Sequence, residues 1–217
     1  MLATVLVSTT AFADKQPQTD QEKFSYAVGV QISSNLVREG IEIDPASFIQ
    51  AIDDVLNHKN LKLSTDDMRQ ALTNYQEKEK QKQEALAAAN KAAGEKFLAD
   101  NKTKPGVVTT PSGLQYKVLK KGTGKKPTPK DTVVVNYEGR LIDGKVFDSS
   151  YKRGQPLPIE VDNVIKGWQE VLPMMPVGSK WQVVIPAELA YGDKEVGGGI
   201  IGPNSTLIFD IELMSIK

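Results

Sequence analysis

The hydrophobic period of this chain changes once. From Phe24 to about Ala99 apolar residues recur every three or four positions, and after Pro105 they alternate. One segment cannot present an apolar face at both spacings, so the two halves must be different classes of structure, helices first and strands second. Phe24, Ala27, Val28, Ile32 and Leu36 stripe a first helix that Gly40 stops. Asp44 as N-cap, with Pro45 at the first helical position, opens a second, striped by Phe48, Ile49, Ile52, Val55 and Leu56. Asn57-His58-Lys59-Asn60 breaks it, which makes His58 a solvent-exposed turn residue and not a ligand.

Ser64 or Thr65, followed by Asp66 and Asp67, starts a third helix, because a hydroxyl cap and first-turn acids complement the helix dipole. Met68, Ala71, Leu72 and Tyr75 continue an apolar face, but Gln76 to Glu84 is polar on every side and is expected to stand free as a solvated spacer. Its alternating charges lack the apolar heptad positions of a coiled coil. The helix resumes through Ala85 to Ala93 and ends beyond Phe97, before Lys104-Pro105-Gly106. At ~1.5 Å per residue, about 35 residues give a rod of roughly 50 Å. The two shorter helices bury too little apolar surface to be stable alone, so their stripes are expected to pack against a second copy of the chain.

Strands follow in Leu114-Gln115-Tyr116-Lys117-Val118, in Val133, Val135 and Tyr137, in Trp181, Val183 and Ile185, and in Leu207, Phe209, Ile211 and Leu213. Lys121-Gly122-Thr123-Gly124, Asp143-Gly144 and Val177-Gly178 separate them as turns, and one helical stretch, Ile165 to Leu172, interrupts them. The fold class is α+β: an all-α N-terminal region and a long connecting helix, then an antiparallel β-sheet with a single short helix against it.

Composition removes several chemistries. The chain has no cysteine, and its single histidine lies outside the strand-rich half, so that half holds no imidazole or thiol for a hydrolase triad or a zinc site. Its 27 basic and 27 acidic residues cancel, leaving no field to draw in nucleic acid. Six lysines between Lys117 and Lys130 lack interleaved aromatics, so no nucleic-acid surface is expected there. Gly197-Gly198-Gly199 has no Lys-Ser/Thr after it and reads as a hairpin tip, not a phosphate cradle. Leu2 to Ala13 is mildly apolar and ends in Ala11-Phe12-Ala13, a small-x-small pattern suited to cleavage before Asp14. Export is the expectation.

Tyr137, Phe147, Trp168, Tyr191 and Phe209 come from five different elements, and each sits in a distinctive block. These blocks are Val135-Asn136-Tyr137-Glu138-Gly139, Asp143 to Ser150, Val164-Ile165-Lys166-Gly167-Trp168, Pro173 to Gly178, Ala190-Tyr191-Gly192 and Ile200 to Asp210. In that order across residues 110 to 217, they resemble the FKBP family of peptidyl-prolyl cis/trans isomerases. Phe24 to Gly29, Asn101 to Val108 and Pro111 to Tyr116 resemble the macrophage infectivity potentiator (Mip) group of bacterial FKBPs.

The resemblance implies an FKBP-like sheet wrapped on its short helix and an apolar proline pocket with Trp168 at its floor. Tyr137, Phe147, Val164, Ile165, Tyr191 and Phe209 would surround it, with Asp148 at the rim. Tyr191 hydroxyl and the Ile165 N–H would each bind a substrate carbonyl, Ile200 or Ile201 would close one side, and Arg153 would steady Asp148 and Tyr137. Leu157 stands where many members have an aromatic residue, and the Gly197–Gly199 tip is one residue longer and less bulky than others. Both departures bear on substrate preference and on macrolides such as tacrolimus and rapamycin, not on the pocket floor.

The implied protein is an exported, dimeric isomerase without a cofactor, acting on proline-containing peptides and unfolded exported proteins, with chaperone-like assistance to folding. It would be periplasmic or associated with the outer membrane. The expected division is a signal-like segment (1–13), a dimerisation domain (14–64), a connecting helix (65–104) and an isomerase domain (105–217). The competing reading is a dimeric holdase or adhesin that binds proline-containing segments without turnover.

Overall fold

The structure, a computed structural model, describes residues 16–217. The signal-like segment and its expected cleavage before Asp14 lie outside the described residues. The chain divides into two compact units, one ending at Leu56 and one running from Asn57 to Lys217.

In the first unit, helix α1 (Asp20–Arg38) starts four residues earlier than its apolar stripe, because Thr19 and Glu22 close a capping box ahead of it. Helix α2 (Pro45–Leu56) is capped by Asp44, whose carboxylate accepts the Ser47 N–H at 2.7 Å. That hydrogen bond holds the Asp44 carboxyl below its ordinary pKa. Phe24, Tyr26 and Val30 on α1, and Ile49, Ile52 and Val55 on α2, are exposed.

The second unit opens with helix α3 (Thr65–Asn101), whose 37 residues span about 55 Å at ~1.5 Å each. Ser64 caps it in a box with Asp67. The solvated spacer expected over Gln76 to Glu84 ends sooner than its composition suggests, because Gln83 donates to Glu195 at 2.9 Å. From there Ala87, Asn90, Gly94, Leu98 and Asn101 form a face that is half-buried or buried against the sheet domain. Buried Asn101 donates to Gln115 Oε1, and Gln115 Nε2 donates to the Leu98 carbonyl, each at 2.9 Å.

The sheet has seven antiparallel strands: β1 (Val107–Thr109), β2 (Gln115–Lys120), β3 (Thr132–Leu141), β4 (Val146–Ser149), β5 (Leu157–Glu160), β6 (Lys180–Ile185) and β7 (Leu207–Ile216). Their order is β1-β2-β6-β7-β3-β4, with β5 also on β3. Thr132–Val135 pairs with β5 and Glu138–Arg140 with β4, so one edge of β3 serves two short strands while the other pairs with β7. Along β3 every second residue is buried, which turns Val133, Val135 and Tyr137 to the core. A one-turn helix α4 (Ser150–Arg153), stopped by Gly154 at φ 74°, leaves the end of β4. Helix α5 (Lys166–Val171) is the short helix against the sheet. It lies so close to β6 that a Cβ on Gly167 would stand 2.5 Å from Ile185 Cγ2.

Candidate functional site

A cavity of about 450 Å³ opens between α5 and the strands, lined by Tyr137, Phe147, Asp148, Leu157, Val164, Ile165, Trp168, Tyr191 and Phe209, together with Ile159 and Asn163. A smaller one of about 230 Å³ adjoins it, sharing Phe147, Asp148 and Tyr191 and adding Val196, Gly197, Ile200 and Ile201. All the side chains singled out from the sequence thus lie around these two cavities, except Arg153, which stands behind Asp148. Of the two isoleucines, Ile201 is buried and Ile200 exposed.

The aromatic wall is a set of crossed rings. Trp168, on α5, meets Tyr137 and Phe209 edge to face, each at 5.2 Å between centroids, and Phe147 meets Phe209 the same way at 5.6 Å. Such pairs favour this geometry because ring edges are positive and faces negative. Gly139 makes the crossing possible: a Cβ there would stand 2.7 Å from both the Phe147 and Phe209 rings. The Trp168 indole N–H is buried without a hydrogen-bond partner among the described residues.

Polar groups at the rim are fixed in place. Tyr137 hydroxyl donates to one oxygen of Asp148, while Arg153 pairs with the other. Arg153 also donates to Tyr137 hydroxyl at 2.8 Å and lies 5.4 Å from that ring's centroid. The one-turn α4 carries Arg153 back over Tyr137, and its buried Ser150 accepts the Tyr137 N–H at 2.9 Å. Burial first, and the Asp148 hydrogen bond second, push the Tyr137 phenol above its ordinary pKa. Burial and then the Asp148 charge do the same to Tyr191. The Tyr137 and Asp148 hydrogen bonds raise Arg153 further. Both phenols are therefore neutral donors and Arg153 a fixed cation near neutral pH.

Sequence pattern placed Ser150 at the end of the Asp143 to Ser150 block without giving it a role, and did not mark Gln169. Gln169 Nε2 donates to the Val164 carbonyl at 2.7 Å and to that of Asp162 at 3.1 Å, which sets the loop leading into Ile165. Ile159 and Asn163 were missed as well, since neither periodicity nor a motif marks a residue of a four-residue strand or of a loop that faces a cavity. Among the described residues no group of three or more acidic or histidine side chains is placed to hold a metal ion.

Comparison with known proteins adds two family matches. The family described as the domain amino terminal to FKBP-type peptidyl-prolyl isomerase covers residues 21–118, and the FKBP-type peptidyl-prolyl cis-trans isomerase family covers 123–214. The outer membrane protein MIP of Legionella longbeachae is 47% identical over 92% of this chain and 87% of its own. The peptidyl-prolyl cis-trans isomerase Mip of Coxiella burnetii is 44% identical over 98% and 94%. The crystal structure of FkpA from Escherichia coli superposes with a TM-score of 0.65 at 40% identity, covering 93% of this chain and 99% of that one.

Proposed function

The chain belongs to the FKBP-type peptidyl-prolyl cis-trans isomerases, and from that premise we propose that its crossed-ring cavity receives the proline and accelerates rotation by withholding solvent. Rotation about an X-Pro bond breaks nothing; its barrier of about 18–20 kcal/mol is the lost resonance of the twisted amide. A planar amide is more dipolar than a twisted one. A dry cavity walled by Tyr137, Phe147, Trp168 and Phe209 therefore disfavours the ground state more than the transition state.

Tyr191 makes no side-chain hydrogen bond among the described residues, so its hydroxyl is free to donate to a substrate carbonyl, and the Ile165 N–H supplies a second donor. These contacts hold the peptide in a turn that favours rotation. Asp148, engaged by Tyr137 and Arg153, orients the rim and transfers no proton. The observation that carries this reading is the conjunction of that ring wall with a rim whose only carboxylate is already paired. The test is cis/trans exchange in a short proline peptide: wild type should accelerate it and Trp168→Ala should not. A holdase or adhesin reading would gain if wild type bound the peptide and left its exchange rate unchanged.

The exposed stripes of α1 and α2 support a homodimer built on these helices, checked by sedimentation of the full chain. Export is supported by the signal-like start and by the outer-membrane name of one relative. No described helix is long and apolar enough to cross a membrane. Unfolded exported proteins are the proposed clients, and two tethered sites would give chaperone-like retention of one chain. Macrolide binding would use the same cavity, with Leu157 narrowing its aromatic contact.

A further inference from the structure

The segment from Gly192 to Thr206 carries Ile200 and Ile201, which wall the smaller cavity. Its internal structure is sparse. Val196 and Ile201 exchange backbone hydrogen bonds at 2.9 and 3.1 Å, and the Asn204 N–H donates to the Gly192 carbonyl at 2.7 Å. Gly197, Gly198 and Gly199, all at positive φ, form the tip. A segment with few contacts and three residues of maximal backbone freedom does not hold one position by itself.

Its other side rests on α3. Asn90 Nδ2 donates to the Pro203 carbonyl at 2.8 Å, Gln83 Nε2 to Glu195 at 2.9 Å, and Asn204 Nδ2 reaches the Ala87 carbonyl at 3.5 Å. The approach is close. A Cβ on Gly94 would stand 2.4 Å from Oγ1 of buried Thr206, and one on Gly202 would stand 3.0 Å from Asn90 Nδ2 and 3.3 Å from Leu86 Cδ2. Residues 83, 87, 90 and 94 recur at helical spacing, so a single face of α3 makes all these contacts.

We infer that this face of α3 sets the position of the Gly192–Thr206 loop, making Asn90 and Gly94 positioning residues that hold the isoleucine wall in favourable contact with a bulky side chain beside the proline. The inference rests on the reading of the aromatic cavity as the proline site. Pro203 is two residues from Ile201, so a loop released at Pro203 lets the isoleucine wall move while Trp168, Tyr137 and Phe209 stay in place. Selection by neighbouring side-chain size then weakens, and the rotation step does not.

The test uses the full chain and two peptides, one with alanine and one with phenylalanine before the proline. Asn90→Asp keeps the shape and removes the donor; Gly94→Ala pushes on Thr206. Each should raise KM for the phenylalanine peptide about threefold to tenfold, the size of one lost hydrogen bond. In each, kcat should stay within about twofold and the alanine peptide should change little. Hydrogen-exchange protection of the Val196 and Ile201 amides should fall in both variants. Should Asn90→Asp fail to fold, Gly94→Ala and its exchange pattern decide the matter. Equal losses on both peptides, or unchanged selectivity with unchanged protection, would overturn the inference. If wild type were active, Trp168→Ala inactive and selectivity unaltered in the α3 variants, only the inference would fall. A wild type that isomerised neither peptide would remove the underlying reading as well.

Discussion

Gly139→Ala tests the crossed-ring wall with a single methyl group. The added carbon would stand 2.7 Å from Phe147 and Phe209 ring atoms, closer than carbon atoms approach without displacement. The strand cannot retreat, because Gly139 pairs with Phe209 of β7 on one side and with Asp148 of β4 on the other. The rings must move instead, and Phe209 is buried against Trp168 at 5.2 Å. Overpacking of this kind costs about 1–3 kcal/mol, and alanine returns about 0.5–1 kcal/mol of it by restricting the unfolded strand. The net loss of about 1–2 kcal/mol should lower Tm by about 3–8 °C in a domain of this size. Prising Phe147 from Phe209 also reshapes the cavity, so kcat/KM on a short proline peptide should fall about tenfold. Thermal melting monitored by circular dichroism and peptide exchange below the melting range separate the two effects. A Tm within a degree or so of wild type would refute the close-packing argument. A lowered Tm with full activity would show that these rings are core and not site.

Asp148→Ala and Tyr191→Phe should each lower kcat/KM with the fold intact, whereas Trp168→Ala should also lose about 3–5 kcal/mol of stability, read from a melt. Activity should be nearly flat from about pH 6 to 8, since the site offers no imidazole or thiol; a steep inflection there would restore proton-transfer chemistry. The raised phenols of Tyr137 and Tyr191 bind protons more tightly folded than unfolded. Their contribution is therefore complete below about pH 10 and lost as pH rises through the folded values, which alkaline denaturation would detect. A fragment starting at residue 105 loses the partners of Gln115 and the cover of Thr206. It should melt below a fragment starting at residue 79 by about 4–8 °C, the effect of roughly 1–2 kcal/mol in a domain of this size.

How much of this was legible follows from the physics of each element. The change of period separated helices from strands because a buried face leaves its spacing in the apolar residues. β5 left no such trace: Pro158 argues against a strand, and it is tolerated because β5 pairs only with β3. β4 and α4 are four residues each, too short for either period to register. The seating of α3 was hidden for a different reason. Its contacts are made by Gln83, Asn90, Gly94 and Asn101, so the buried face is polar and small, and a search for hydrophobic stripes reads it as solvent-facing. The residues proposed for the site were picked out through family resemblance, since a cavity wall drawn from β3, β4, β5, α5, β7 and two loops has no spacing of its own. The hydrogen bonds that hold that wall, from Ser150 and Gln169, belong to residues indistinguishable in sequence from ordinary turn and helix positions.

The place of β7 in the sheet bears on the order in which the protein is made. β7 lies between β6 and β3 and bonds to both, yet it is synthesised after the six strands around it. A growing chain that has emerged only as far as Thr206 already contains Tyr137, Asp148, Trp168 and Tyr191, but β3 and β6 have no strand between them and Trp168 has no Phe209 to meet. Such a chain presents two unpaired strand edges, the surfaces most prone to join other chains. The proposed site is closed in one step with β7, so a chain ending at Thr206 would lack the Phe209 wall of its cavity and should show no exchange activity on a proline peptide.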